Sequence, residues 1–401
     1  MKRRLPFYPI VPRYIFPRMD IFGAAMIRFK EDMKNLFRTI CFVQISLLIF
    51  SGCSDQSTTD LSIVSENVHA FYYPWYGNIE IDGGYFHWNH SVMGHVDEPH
   101  TYPGGDDIGA NFYPRLGCYS SNDEKVVRLH MKQLKKAGIG VISVSWWGVD
   151  TFEAKAVPLL MDIGAQNGIK ICFHIEPFNG RNAETTRETI MYLIDRYSSH
   201  SAFYYYPERD NLPLFYIYDS YLTSADEWAT ILGSEGDKTI RGTKYDALVI
   251  GLWVKEHEQD FISNGHFDGF YTYFATDGFT YGSTTANWRK QANWALENDK
   301  IFIPCVGPGY VDTRIRPWNA VNERSRERGA YFDRMFEAAI AVKPHFIGVT
   351  SFNEWHEGTQ IEPAIPKAIN GFKYEDYAPL QPDFYLNRAR FWIGKFANNQ
   401  K

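Results

Sequence analysis

Eight short runs rich in β-branched and aromatic residues recur between residues 68 and 354, with helix-period segments between them. The runs are 68–76, 140–147, 169–178, 212–219, 247–254, 267–275, 300–307 and 346–354. Strands that alternate with helices pair in parallel. Near-continuous apolar strands are those covered on both faces. The intervening segments carry helix punctuation. Ser121 and Glu124 have the spacing of a capping box ahead of Val127, Met131 and Leu134, and Gly138 supplies a stop. Ser224 and Glu227 repeat the device before Trp228 and Ile231, and Pro344 ends a stripe of Phe332, Phe336, Ala339 and Ile340. Eight such units in one stretch predict a (β/α)8 TIM-type barrel, as a single α/β domain over 67–401. A doubly wound sheet is the alternative, but no glycine-rich dinucleotide or phosphate loop follows the first run. The stretch 77–119 exceeds a routine connection, and long loops in compact domains are usually functional.

The chain's charge is uneven. Residues 1–52 hold nine Lys or Arg and three Asp or Glu, and the remainder holds 32 and 44. An acidic remainder argues against nucleic acid as a partner. From Met33 the sequence runs through Lys34 and Arg38 into an apolar stretch at 40–50 and then Ser51-Gly52-Cys53. A basic start, a short apolar run and small residues make an export signal, too short for a comfortable membrane span. Cys53 has the position of a lipidated first residue. Residues 1–53 are therefore expected to be an over-extended start plus a lipoprotein signal, and 54–66 a polar tether. The expectation that follows is an exported bacterial lipoprotein, associated with the outer membrane through its lipid, and monomeric. Cys118, Cys172 and Cys305 have neither disulfide nor metal spacing and read as free thiols.

Barrel enzymes assemble their sites from the C-terminal ends of the strands. Those ends carry Tyr73, Trp75 and Tyr76; Trp146 and Trp147; His174 and Glu176; Tyr273; Tyr310; and Glu354, Trp355 and Glu357. The long first loop adds His87, Trp88 and His90. Aromatic residues make up 16% of the chain, and their concentration at one rim suits sugar rings, which stack through C–H faces and bond through hydroxyls. Charged Glu354 and Glu357 at the end of an apolar run are costly unless paired or used. Residues three apart on a strand point to opposite faces, so both face one pocket only if the chain turns after Glu354, which Gly358 favours. Two carboxyls in one mouth repel, and one stays protonated beside a charged neighbour, the pairing glycosidic cleavage requires. The plain alternative is an ion pair of one glutamate with Arg314 or Arg316. His174 and Glu176 share a strand face and fit either a hydroxyl-orienting pair or a structural one. His87 and His90 lack a third ligand in a suitable context, so no metal or cofactor is expected. No nucleophile elbow supports serine chemistry.

At these residues the sequence resembles glycoside hydrolase family 99, the endo-α-1,2-mannosidases and endo-α-1,2-mannanases. The matching segments include Phe71-Tyr-Tyr-Pro-Trp-Tyr-Gly-Asn78, Ile175-Glu-Pro177, Tyr271-Thr-Tyr-Phe-Ala275, Gly278-Phe-Thr-Tyr-Gly282, Val306-Gly-Pro-Gly-Tyr310, Ile315-Arg-Pro-Trp-Asn319 and Thr350-Ser-Phe-Asn-Glu-Trp-His-Glu-Gly-Thr-Gln360. The resemblance implies endo cleavage of α-1,2-mannosidic bonds with retention and without a metal. It implies Glu354 as base toward the sugar's own 2-hydroxyl and Glu357 as acid, through a 1,2-anhydro sugar. The animal enzymes of the family carry Tyr where this chain has Trp147, and the bacterial ones carry Trp. That implies α-mannan as the substrate rather than glucosylated N-glycans. A glycan-binding surface lipoprotein without catalysis, and a barrel hydrolase with an ordinary carboxylate nucleophile, are the alternatives.

Overall fold

A computed structural model describes residues 64–94 and 100–399. The expected signal, Cys53 and most of the tether lie outside them. Eight parallel strands form the barrel: β1 Ser65–Tyr72, β2 Ile139–Trp146, β3 Lys170–Ile175, β4 Leu212–Ile217, β5 Leu248–Leu252, β6 Gly269–Tyr271, β7 Ile301–Ile303 and β8 Ile347–Val349. β1 pairs with β2 on one side and β8 on the other, with Ala70 opposite Ile142 and Val349. Pro304 interrupts β7, because proline has no N–H for a ladder. The segment before it pairs with β6, and Cys305–Val306 after it pairs with β8. The two ends of the sheet are thus two halves of one strand, and the ring closes.

Each strand feeds a helix: α1 Glu124–Ala137, α2 Phe152–Asn167, α3 Ala183–Tyr197, α4 Ala225–Leu232, α5 Gln259–Asn264, α6 Trp288–Glu297, α7 Ala330–Ala341 and α8 Phe384–Asn399. The stripe Val127, Met131 and Leu134 is buried as its spacing predicts, and Gly138 closes α1 in the left-handed conformation at φ 81°. The box at Ser224 and Glu227 forms with both reciprocal bonds. The one at Ser121 and Glu124 does not. Asp123 caps α1 instead, and Ser121 is drawn away to Tyr76, bonding its N–H and C=O. β1 begins at Ser65, inside the expected tether, because Ser65 donates to Gly138 O at 2.9 Å.

The barrel interior is filled by rings. Successive inward residues of β1 and its extension stack in layers: His69 bonds Tyr216 at 2.7 Å, Phe71 meets His174, Tyr216, Tyr271 and Tyr273, and Tyr73 contacts the Tyr273 hydroxyl. Gly348 makes room for this packing, since a Cβ there would lie 2.5 Å from Cys305 Sγ and 3.4 Å from Phe71. Aromatic residues therefore occupy the axis as well as the rim. Cys172 and Cys305 are buried free thiols and Cys118 is a partly exposed one.

Candidate active site

The run expected at 346–354 is strand only over Ile347–Val349. Beyond it the chain folds into an irregular hook stitched to itself and to the loop after β1. Ser351 N donates to Thr359 O at 2.9 Å, and Glu354 N to Ser351 Oγ at 2.7 Å. Asn353 clamps Tyr73 by accepting from its N–H at 2.8 Å and donating to its C=O at 3.0 Å. The turn after Glu354 is closed by Thr359 N to Glu354 O and Gly358 N to Trp355 O, with Gly358 at φ 60°. Those bonds bring two side chains of opposite strand parity, Glu354 and Glu357, into electrostatic contact.

Glu354 is buried, and Glu357 retains about a quarter of its side-chain exposure. Burial, then the charge of Glu357, pushes the Glu354 carboxyl well above the usual glutamate range. Burial also raises Glu357, opposed chiefly by Arg316, whose Nη1 lies 3.4 Å from its Oε1. The two carboxyls are thus both lifted by burial, and the charge of Glu357 disfavours ionisation of Glu354. Arg316 is held in turn by buried Asp312 at 3.0 Å, which also accepts from Tyr310 Oη and Asn319 Nδ2. The ion-pair alternative is thus partly realised: Arg316 bonds Glu357 and Asp312, while Arg314 pairs with Asp107.

The other rim residues fall into two groups. Trp75, Trp147, His87, His90 and Tyr310 are partly exposed at the mouth. Trp75 stacks between Tyr73 and His87, with centroids at 4.5 and 4.0 Å. Trp147 donates to Ser145 Oγ at 3.1 Å, and Ser145 donates to Glu176 Oε1 at 2.8 Å. Tyr273 sits at the bottom with a left-handed backbone at φ 49°. The second group lies behind the rim. Tyr76, Trp88 and Trp355 are fully buried and hydrogen-bonded to protein: Tyr76 Oη to Asn353 O, Trp88 Nε1 to Tyr119 O, Trp355 Nε1 to Glu362 Oε2. Trp146 faces the helix layer against Phe173 and Tyr192, because the strand period that turns Ser145 inward turns its neighbour outward. These four brace the site and do not line it. His174 is likewise saturated, by Glu176 at 2.9 Å and Tyr271 at 2.7 Å, and orients Glu176.

Sequence reasoning gave no site role to Asp312, and it weighed Arg316 only as a bland partner. The segment Ile315–Asn319 among the family matches was the available signal. His87, Glu354 and His356 bring three ligand atoms within 4.8 Å of one another, the one such grouping among the described residues. Burial holds both imidazoles neutral, a state that suits a cation or a hydroxyl donor equally.

A closed parallel barrel with two carboxyls turned together in an aromatic-rimmed mouth at its C-terminal face defines a glycoside-hydrolase type of protein. The sequence profile of glycosyl hydrolase family 99 matches residues 63–398, and the chain belongs to that family. It is 47% identical over 351 residues to the glycoprotein endo-alpha-1,2-mannosidase of Xenopus laevis, covering 84% of this chain and 78% of the relative. It is 46% identical to the human glycoprotein endo-alpha-1,2-mannosidase-like protein, over 84% and 77% of the two chains. The solved structure of the GH99 endo-alpha-mannosidase from Bacteroides thetaiotaomicron superposes with a TM-score of 0.82 at 49% identity, covering 84% of this chain and 99% of that one.

Proposed function

We propose that this chain hydrolyses α-1,2-mannosidic bonds in the interior of α-mannan or mannose-rich glycans. The observation that carries the reading is the hook that turns Glu354 and Glu357 together, with Arg316 3.4 Å from Glu357, in a mouth bordered by the stacked rings of Tyr73, Trp75 and His87. Identity of 46–47% to glycoprotein endo-alpha-1,2-mannosidases supports the bond cleaved.

In the reaction, Glu354 takes the proton of the sugar's 2-hydroxyl, O2 attacks C1, and the C1–O bond to the leaving sugar breaks. Glu357 gives its proton to the departing oxygen. Water, deprotonated by Glu357, then opens the 1,2-anhydro ring at C1, and Glu354 returns its proton to O2. Two inversions give retention. In the protein alone Arg316 favours the charged form of Glu357, so substrate has to favour its protonated form and the charged form of Glu354. A 2-hydroxyl donating to Glu354 and a glycosidic oxygen accepting from Glu357 supply the two hydrogen bonds that do so.

The indole of Trp147, tied through Ser145 to Glu176, supports mannose rather than a glucose cap in the neighbouring subsite. The run before Cys53 supports export and lipid anchoring at the outer membrane; release of the protein from membranes by Cys53→Ala tests that point. The main test is digestion of α-1,2-branched yeast mannan with products identified by mass and linkage. Short mannose oligosaccharides are expected. Cleavage confined to glucose-capped oligosaccharides would move the substrate to N-glycans, and no cleavage of either would overturn the reading.

A further inference from the structure

The hook that carries both carboxyls is tied from behind by a residue that touches neither of them. Arg326 stands just ahead of the short helix Glu327–Gly329, which leads into α7. One end of its guanidinium, Nη2, donates to Gly358 O at 2.9 Å and to Gln360 O at 2.8 Å. Gly358 follows Glu357 directly, so the first of these bonds holds the main chain next to that carboxyl.

The rest of the group is caged. Its Cζ lies 4.6 Å from the ring centre of Phe112, 4.9 Å from that of Tyr377 and 4.6 Å from that of Tyr385. Phe112 belongs to the long loop after β1 and Tyr385 to α8, so distant parts of the chain converge on one cation. Nε and Nη1 are buried without a hydrogen-bond partner, a cost that the surrounding rings offset, because an aromatic face attracts a cation. Arg326, the three rings and Gly358 border a cavity of about 320 Å³. Packing alone therefore does not fix the hook on this side. Gly309 leaves room for the stem, since a Cβ there would lie 2.7 Å from Arg326 Cγ. The same stretch is joined to the loop that carries Asp312 and Arg316: Tyr310 and Arg324 exchange backbone bonds at 3.0 and 2.8 Å, and Val311 N donates to Glu357 O at 2.9 Å.

We propose that Arg326 is a positioning residue for the reaction: its caged guanidinium fixes the main chain after Glu357 and so sets where that carboxyl stands relative to Glu354 and the bond cleaved. The proposal rests on Glu357 being a reacting group. Arg316 holds the carboxyl of Glu357 and Arg326 holds its backbone, so the two cations divide the work. Lysine cannot replace the second, because a compact, strongly hydrated ammonium lacks the planar fork that stacks on rings and donates at the same time.

The test is steady-state kinetics on an α-1,2-linked mannan oligosaccharide with Arg326→Lys, which keeps charge and stem, beside Arg326→Ala. In each variant that folds, kcat is expected to fall about 10–10²-fold, the cost of a small misplacement, with KM changed less than about twofold. A merely structural role would lower the melting temperature and leave the kcat of folded enzyme untouched. Parent kcat in folded Arg326→Lys, or a loss carried by KM, would overturn the proposal. Hydrogen exchange reads the same restraint without turnover. Amides in 355–361 are expected to exchange about tenfold faster in Arg326→Lys than in the parent, with those of α2 unchanged. Equal exchange in 355–361 would overturn the restraint. Faster exchange there in a protein whose parent form does not cleave mannan would support the restraint and count against the cleavage reading alone.

Discussion

At the scale of single residues the site is a problem in proton placement. Glu354 and Glu357 are each lifted by burial, and only Arg316, steadied by Asp312, opposes the lift at Glu357. Glu357→Gln is expected to lower kcat on mannan by about 10²–10⁴-fold, the worth of one acid–base group, with binding retained. Near-normal turnover would remove its role as acid. Glu354→Gln is expected to be as damaging even on an activated fluoride, because deprotonation of the 2-hydroxyl is still needed; rescue by the good leaving group would argue against a base there. The same shifts have a cost in stability. A carboxyl raised in the folded state binds its proton more tightly there than in the unfolded chain, so stability falls as pH rises through the raised range. Glu354→Gln removes the charge that forms there. Its melting temperature is expected to exceed that of the parent at mildly alkaline pH, with the gain shrinking at acidic pH where the parent is already protonated. A gain that does not vary with pH would mean that the carboxyl is not titrating in that range.

At the scale of elements, the decisive piece is the hook after β8, which is neither strand nor helix. Its shape comes from Ser351, Asn353 and Thr359 bonding back onto Glu354, Tyr73 and Ser351, and from Gly358. Gly358 is required twice, once for φ 60° and once because a Cβ would lie 2.7 Å from Val311 Cγ1 and O. Gly358→Ala is expected to cost at least about 1–2 kcal/mol from the backbone alone. It should also lower kcat more than KM, since the turn carries Glu357. Wild-type kcat in a merely less stable protein would show that the hook tolerates the shift. The helices and strands were largely legible from period and caps, as with α1 and the box at Ser224. The hook was not, because its bonds run to residues as distant in sequence as Tyr73, and local pattern holds no record of them.

At the scale of the whole molecule, residues 53–401 are strongly acidic, with 44 Asp or Glu against 32 Lys or Arg, while the proposed substrate is neutral. Turnover of mannan is therefore expected to be nearly flat with ionic strength, since screening acts only between charges. A steep fall with salt would point to a charged partner. The alternation of eight apolar runs with helix-period segments determined a (β/α)8 barrel and its C-terminal rim by itself, because the strand signal is local and repeats eight times. The motifs at the strand ends also determined the family and singled out Glu354 and Glu357 as candidates. Which rim aromatics face the cleft was settled only by the tertiary structure. Trp146 turns outward by strand parity, and Tyr76, Trp88 and Trp355 sink behind the hook to satisfy their polar tips. It also brought Asp312 and Arg316 to Glu357 across a loop whose path no pattern encodes. Burial and pairing are properties of the assembled ring, and they fix the protonation on which the chemistry turns.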